Sequence, residues 1–168
     1  MKLKIALQKS GRLADGSTAL LKKCGIGFSN GLGKLRAESE DFPIEMYFLR
    51  DDDIPEYVAD GVADIGIVGE NVLMEHPKPV ETVEKLGFGR CRLAIAVPKN
   101  FDYRELADLA GTRIATSYPH ILAEFFAVHS VAADLHESCG SAKIQPAIGS
   151  ADSAVGPAWP GPHARCSC

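Results

Sequence analysis

The sequence predicts an α/β fold with mainly parallel strands in two lobes, and three observations predict it. Short apolar runs of strand length alternate with segments whose apolar residues recur at helical spacing. Glycine or proline punctuates most of these segments. Polar turns at Gln8–Leu13, Gly69–Asn71 and Ser117–His120 each lead from a strand-like run into a helix. Ligands of open α/β sheets sit beyond the carboxyl ends of the strands. Two of the turns fall in the first lobe and one in the second, so a cleft between lobes is expected.

Taken in order, Leu3–Leu7 is a short apolar strand. A helix follows from about Asp15 to Cys24, with Leu13, Leu20, Leu21 and Cys24 on one face, and Gly25 stops it. A strand lies near Leu35–Glu38, and another at Pro43–Leu49. Ile54-Pro55 opens a short helix, because proline fits the first helical turn; Gly61 ends it. Val62–Val68 reads as a buried strand, turning at Gly69-Glu70-Asn71 into a helix that reaches Glu75. His76–Glu81 is a Pro-containing loop and Thr82–Leu86 has no clear period. Cys91–Val97 is a strong strand closed by Pro98. Tyr103–Leu109 reads as a short helix, Arg113–Thr116 as a strand and Ile121–His129 as a helix bearing Leu122, Phe125 and Phe126. Ala132–His136 reads as a strand, and Gly140–Ile144 as a turn or strand. These elements divide into a first lobe at residues 1–93 and a second at 94–152. Residues 153–168 hold three prolines, the only tryptophan and two cysteines, keep no period, and read as disordered.

Composition sets the bounds. With 168 residues, 46% hydrophobic and 24% charged, the chain has the balance of a soluble globular protein. A net charge of -4 argues against bulk attraction to nucleic acid or anionic membrane. No apolar run approaches the ~20 residues of a membrane span, and the amino terminus lacks a signal-peptide pattern. A cytoplasmic location is expected. The five cysteines have no zinc or disulfide spacing.

Chemistry concentrates between Leu49 and Asn71. Arg50 precedes the acidic run Asp51, Asp52 and Asp53. A glycine turn follows at Gly69 and Glu70, where a strand feeds a helix start; free N–H groups and the helix dipole favour anions there. One aspartate of the acidic run is expected to cap the Pro55 helix, and a direct metal role is the minor reading. Asp64, at a strand start, reads as a cap or a buried hydrogen-bonding acid. Arg12 follows Gly11 at a strand end; it is either a surface cation or a phosphate ligand, and Lys9 repeats the choice more weakly. Arg50 either pairs with its acidic neighbours or meets a substrate. Arg90 and Arg92 alternate about Cys91 and so share a strand face. Ser117 and Tyr118 start a helix, with capping by Ser117 compatible with ligand contact. His120, His129 and His136 form no triad with a nucleophile and read as surface or cap residues. No catalytic residue and no protein metal site is assigned.

The segments Ile5–Leu13 (IALQKSGRL), Leu49–Pro55 (LRDDDIP), Gly61–Asn71 (GVADIGIVGEN), Leu86–Leu93 (LGFGRCRL) and Ile114–Pro119 (IATSYP) together resemble the ATP phosphoribosyltransferase family of histidine biosynthesis, in the family's order, over about residues 3–152. The resemblance implies a two-lobed core like a periplasmic binding protein, incomplete at its carboxyl end in this chain. It implies a glycosyltransferase reaction joining N1 of ATP to C1 of phosphoribosyl pyrophosphate with release of pyrophosphate. Mg²⁺ would act with the substrate phosphates, and the intact family would form a homo-oligomer. On this resemblance Lys9, Gly11, Arg12, Arg50, Gly69, Glu70, Arg90, Ser117 and Tyr118 are the expected substrate-binding residues. The family's loop for the 5′-phosphate of phosphoribosyl pyrophosphate is not found after Asp152, and Lys143 stands where an acidic residue is usual. Out-of-frame translation then accounts for the tail better than a natural flexible segment does, and loss of the loop is expected to remove turnover. The alternative reading is a non-catalytic nucleotide-binding module of periplasmic-binding-like fold.

Overall fold

The structure, a computed structural model, describes residues 2–28, 35–138 and 150–158. The chain divides into two compact units, residues 1–89 and 90–168. The division falls after Gly89, four residues ahead of the expected boundary at residue 93.

The first unit runs β1 (Leu3–Gln8), α1 (Arg12–Lys23), β2 (Arg36–Glu38), β3 (Ile44–Leu49), a 3₁₀ turn (Asp51–Asp53), α2 (Ile54–Ala59), β4 (Ile65–Gly66) and α3 (Glu70–Glu75). Its sheet has the order β2-β3-β1-β4. Central β1 is parallel to both β3 and β4, and β2 is antiparallel to β3. Alternation along β1 and β3 explains the layers, since successive side chains point to opposite faces. Ile5, Leu7, Met46 and Phe48 pack with Leu21 of α1 on one side. Ala6 packs with Ile54 of α2 and Ala63 on the other. Glu45 is buried at the far end of β3, where the Arg36 guanidinium pairs with it and holds its carboxyl below the usual range.

The expected buried strand Val62–Val68 shrinks to two residues, and its ends are not buried. Val62 is 43% exposed and Ile65 45%. The reason is local: the N–H groups of Val62 and Ala63 both donate to the Tyr57 carbonyl and finish the α2 turn. Gly61 supplies the positive φ of +70° that this turn needs. Helix α1 begins at Arg12, three residues before the expected start at Asp15.

The second unit runs β5 (Arg92–Ala96), a 3₁₀ turn (Leu106–Leu109), β6 (Arg113–Thr116), α4 (Pro119–Val128), β7 (Asp134–Glu137) and β8 (Ser153–Ala158). The sheet order is β5-β8-β6-β7; β6 is parallel to β7 and β8, and β5 is antiparallel to β8. Leu109, Ile114, Leu122, Phe126 and Val155 form its core. The reading of residues 153–168 as disordered is therefore corrected for Ser153–Ala158, an inner strand. Its small residues carry no strand signal alone, yet Ser153, Ala154 and Val155 are buried because β5 and β6 flank them. Residues 159–168 and the expected turn or strand at 140–144 lie outside the described residues.

One device recurs. The Asp64 N–H donates to the Lys4 carbonyl (2.9 Å) and Asp64 Oδ2 accepts the Lys4 N–H (2.8 Å). Asp152 and Arg113 repeat it, with both bonds at 2.8 Å. Each aspartate ends a Gly-x-Ala-Asp run and clamps the first residues of a parallel strand pair; Asp64 is thus a hydrogen-bonding acid, as expected, but an exposed and not a buried one. The Arg113 N–H, then the Arg113 side chain, hold the Asp152 carboxyl below the usual carboxylate range. Its stabilisation is therefore present above the unfolded pKa of about 3.9 and is lost as pH falls through the lower folded value. Asp152→Ala is expected to cost about 1 kcal/mol at pH 7, after discounting for a half-exposed ion pair. Urea unfolding at pH 7 and at pH 3 checks this: the difference from wild type should shrink at the lower pH.

Candidate functional site

The first unit brings most of the expected residues to one edge of its sheet. Because β1, β3 and β4 are parallel, their carboxyl ends open on the same side. Gln8 lies opposite Leu49, and the Lys9 N–H donates to the Leu49 carbonyl at 2.8 Å. That bond ties Lys9 to the strand end that carries Arg50. Gly11 takes φ of +95°, a conformation that L side chains rarely adopt, and its carbonyl accepts the Asp15 N–H to close the first turn of α1. Lys9, Gly11, Arg12 and Arg50 are all exposed. Among the described residues no side chain caps the amino terminus of α1.

Gly69 precedes α3 in an extended conformation, again without a side-chain cap. The Ile67 N–H donates to the Ala6 carbonyl at 2.9 Å, so this turn also rises from the carboxyl edge. The Glu70 carboxylate is engaged: Lys85 Nζ donates to its Oε1 at 2.8 Å, and that bond holds the Lys85 ammonium pKa above its ordinary value. Sequence reasoning did not name Lys85, and no spacing rule links residues fifteen apart across a loop. It also missed Phe88, whose ring lies over Gly16 of α1, where an added Cβ would meet ring atoms at 2.5 Å. A glycine inside a helical period was the available signal.

The acidic run forms a 3₁₀ turn between Arg50 and α2. None of its carboxylates caps α2; Asp53 occupies the cap position without a side-chain bond, which corrects the expected cap. Proline near the helix start and the backbone of the 3₁₀ turn take over that role. Partial burial, then the neighbouring Asp51 charge, push the Asp52 carboxyl above its ordinary value. No group of three or more His, Cys, Asp or Glu side chains converges as a metal cage among the described residues.

In the second unit, Ser117 and Tyr118 follow the carboxyl end of β6. Ser117 Oγ donates to the Ser138 carbonyl at 2.6 Å and does not cap α4. Buried Thr116 does the local work instead, its Oγ1 accepting the Tyr118 N–H at 2.9 Å. Arg90 lies before β5 and not on it, so Arg90 and Arg92 do not share a strand face. His120 faces Glu124, His129 bonds the Phe125 carbonyl and His136 meets Asp134, all at exposed positions. Cys24 and Cys91 are exposed. An apolar hollow lined by Leu3, Phe42, Pro43 and Ile44 lies at the opposite, amino-terminal ends of the strands. No helix among the described residues is long and apolar enough to cross a membrane.

The family model for ATP phosphoribosyltransferase matches residues 50–156. A protein of that name from Cytophaga hutchinsonii is 55% identical over 150 residues, covering 89% of this chain and 52% of the relative. One from Bacteroides thetaiotaomicron is 48% identical over 150 residues, covering 89% and 53%. The chain thus spans about half the length of the curated relatives it matches. Among solved structures, the ATP phosphoribosyl transferase (HisG:HisZ) complex from Thermotoga maritima superposes with a TM-score of 0.75 at 29% identity, covering 95% of this chain and 75% of that one.

Proposed function

The chain belongs to the ATP phosphoribosyltransferase family, and from that premise we propose that it carries substrate-binding machinery for the first step of histidine biosynthesis. In that reaction N1 of ATP forms a bond to C1 of phosphoribosyl pyrophosphate, and the bond from C1 to the pyrophosphate oxygen breaks. The proposed setting is a homo-oligomeric enzyme of the cytoplasm.

The observation that carries the reading is the carboxyl edge of the first sheet. Parallel pairing of β1 with β3 sets Lys9, Arg12 and Arg50 around strand ends that stand side by side. Pyrophosphate leaves with high negative charge, and preorganised cations and helix N–H groups stabilise such charge more than water does. In this reading Arg12 and Arg50 hold phosphate oxygens, Lys9 adds a point charge, and Gly11 lets the backbone approach the ligand. Gly69 offers a second anion-accepting turn. Its neighbour Glu70, neutralised by Lys85, does not repel the ligand. Arg90, Ser117 and Tyr118 are proposed as contacts in the second unit. Mg²⁺ bound with the phosphates supplies charge neutralisation. It takes only a carboxylate or two from protein, and Asp51–Asp53 are an oxygen-only donor set of the right kind.

Calorimetric titration with ATP and with phosphoribosyl pyrophosphate, each with Mg²⁺, tests the reading. Wild type is expected to bind both. Arg12→Ala is expected to weaken binding about 10- to 100-fold, the worth of a charge-assisted hydrogen bond. Failure to bind either ligand, or wild-type affinity in both Arg12→Ala and Arg50→Ala, would overturn it. Binding without pyrophosphate release would favour the non-catalytic nucleotide-binding module.

A further inference from the structure

Helix α1 carries a glycine in its interior, Gly16, where alanine would favour the helix more. The space around it shows what the glycine serves. A Cβ at Gly16 would meet the Phe88 ring, with Cδ2 at 2.5 Å and Cε2 at 2.7 Å, so the ring lies directly on the helix backbone. Gly89 follows, and a Cβ there would stand 3.1 Å from Leu13 Cδ1. The docking is confined to these two residues: Glu81–Gly87 are all exposed, whereas Phe88 and Gly89 are half-buried. Gly87 and Gly89 take φ of +76° and +67°, so the chain bends on either side of the ring. Lys85, through its bond to Glu70, ties the same stretch to the first residue of α3.

The ring's seat lies on the turn that carries Arg12. Position 16 neighbours both Arg12 and Leu13 on the helix surface. Side chains on a helix lean toward its amino terminus, so one at position 16 would cover the turn that holds Arg12 and Leu13. Gly16 leaves that patch open, and Phe88 fills it from outside the helix. The turn beneath is closed by the Asp15 N–H bond to the Gly11 carbonyl, at 3.0 Å, and has no side-chain cap among the described residues. Helix ends fray where nothing holds them. We infer that Phe88 is a positioning residue: its ring, seated on Gly16, holds the first turn of α1 closed and so holds Arg12 in place for a phosphate group. The consequence for binding rests on the proposed role of Arg12, whereas the hold on the turn rests on the packing alone.

Amide hydrogen exchange and calorimetric titration of the full chain, with ATP and with phosphoribosyl pyrophosphate in the presence of Mg²⁺, test the two parts. Phe88→Ala is expected to speed exchange at the Asp15 amide about tenfold, because the bond that closes the turn then opens more often. It should weaken whichever ligand Arg12→Ala weakens, by about tenfold. In the Arg12→Ala background the same change should cost almost nothing more, because Phe88 acts through Arg12. A merely structural role would lower affinity equally in both backgrounds. Gly16→Ala displaces the ring from the other side and should weaken binding likewise, while far-ultraviolet circular dichroism shows no loss of helix. Phe88→Tyr keeps the ring on its seat and should bind like wild type. The inference is overturned by Asp15 exchange at the wild-type rate in Phe88→Ala. It is equally overturned, where Arg12→Ala weakens binding, by wild-type affinity in both Phe88→Ala and Gly16→Ala or by an equal loss in the two backgrounds. Should wild type bind neither ligand, or Arg12→Ala bind as well as wild type, the phosphate role of Arg12 fails; faster Asp15 exchange in Phe88→Ala then still upholds the hold on the turn.

Discussion

Val155→Asp is expected to abolish cooperative unfolding of the second unit. Val155 lies in the inner strand β8, paired across to Ile95 on one side and Thr116 on the other. It is 1% exposed and shares its core with Leu109, Ile114, Leu122 and Phe126. A carboxylate there meets no cation, so it must protonate, drag in water or expel the strand. Among the described residues, loss of β8 leaves β5 with no strand partner and reduces the sheet to β6 and β7. A two-stranded remnant is marginal in water. The cost exceeds the 2–5 kcal/mol of an ordinary core truncation, and Val155→Ala, at about 2 kcal/mol, is the graded companion. Near-ultraviolet circular dichroism and urea titration of both variants check the order. If Val155→Asp retains a wild-type transition, β8 is not the inner strand of this sheet.

In the first unit the largest effect is expected at Ile54. Its side chain, at the start of α2, is fully buried against Ala6 of β1 and Ala63, and its Cγ2 lies where a Cβ on Gly66 would come within 2.6 Å. Ile54→Ala should cost about 3 kcal/mol through lost burial and the void it leaves. Gly66→Ala should cost about 1–3 kcal/mol for the opposite reason, an atom with no room. Together the changes compensate, because the new methyl enters the space the isoleucine vacates. The double mutant should be more stable than the sum of the two losses predicts. Chemical denaturation of the three variants measures the coupling, and strict additivity would sink the packing argument.

The α/β class, the parallel first sheet and the cationic turns were legible because their signals are local. The apolar strand before Gly11 and the turn at Gly69 announce themselves through period and punctuation. Most of the failures have their cause in tertiary context, and the one at Val62–Val68 has a local cause. Ser153–Ala158 has no strand pattern of its own and is a strand because β5 and β6 hold it on both sides. Val62–Val68 has a strong strand pattern, yet α2 claims the N–H groups of Val62 and Ala63. Ser117 has the composition of a cap, but the Ser138 carbonyl, twenty-one residues on, takes its hydroxyl. The Glu70–Lys85 pair and the ring of Phe88 over Gly16 are long-range facts of the same kind.

The position of β8 has a consequence for synthesis on the ribosome. Among the described residues, strand β5, at Arg92–Ala96, has β8 as its only sheet neighbour, and β8 emerges after β5, β6 and β7. At 5–20 residues per second, β5 waits on the order of seconds with both edges open. The Asp152 clamp precedes β8 directly, so the Arg113 bonds can seat the strand as soon as it appears. Until then the nascent chain displays the apolar residues of β5 and the face of α4 that bears Phe126. That interval is when a holdase chaperone has most to bind, and slowing translation after residue 97 should lengthen it.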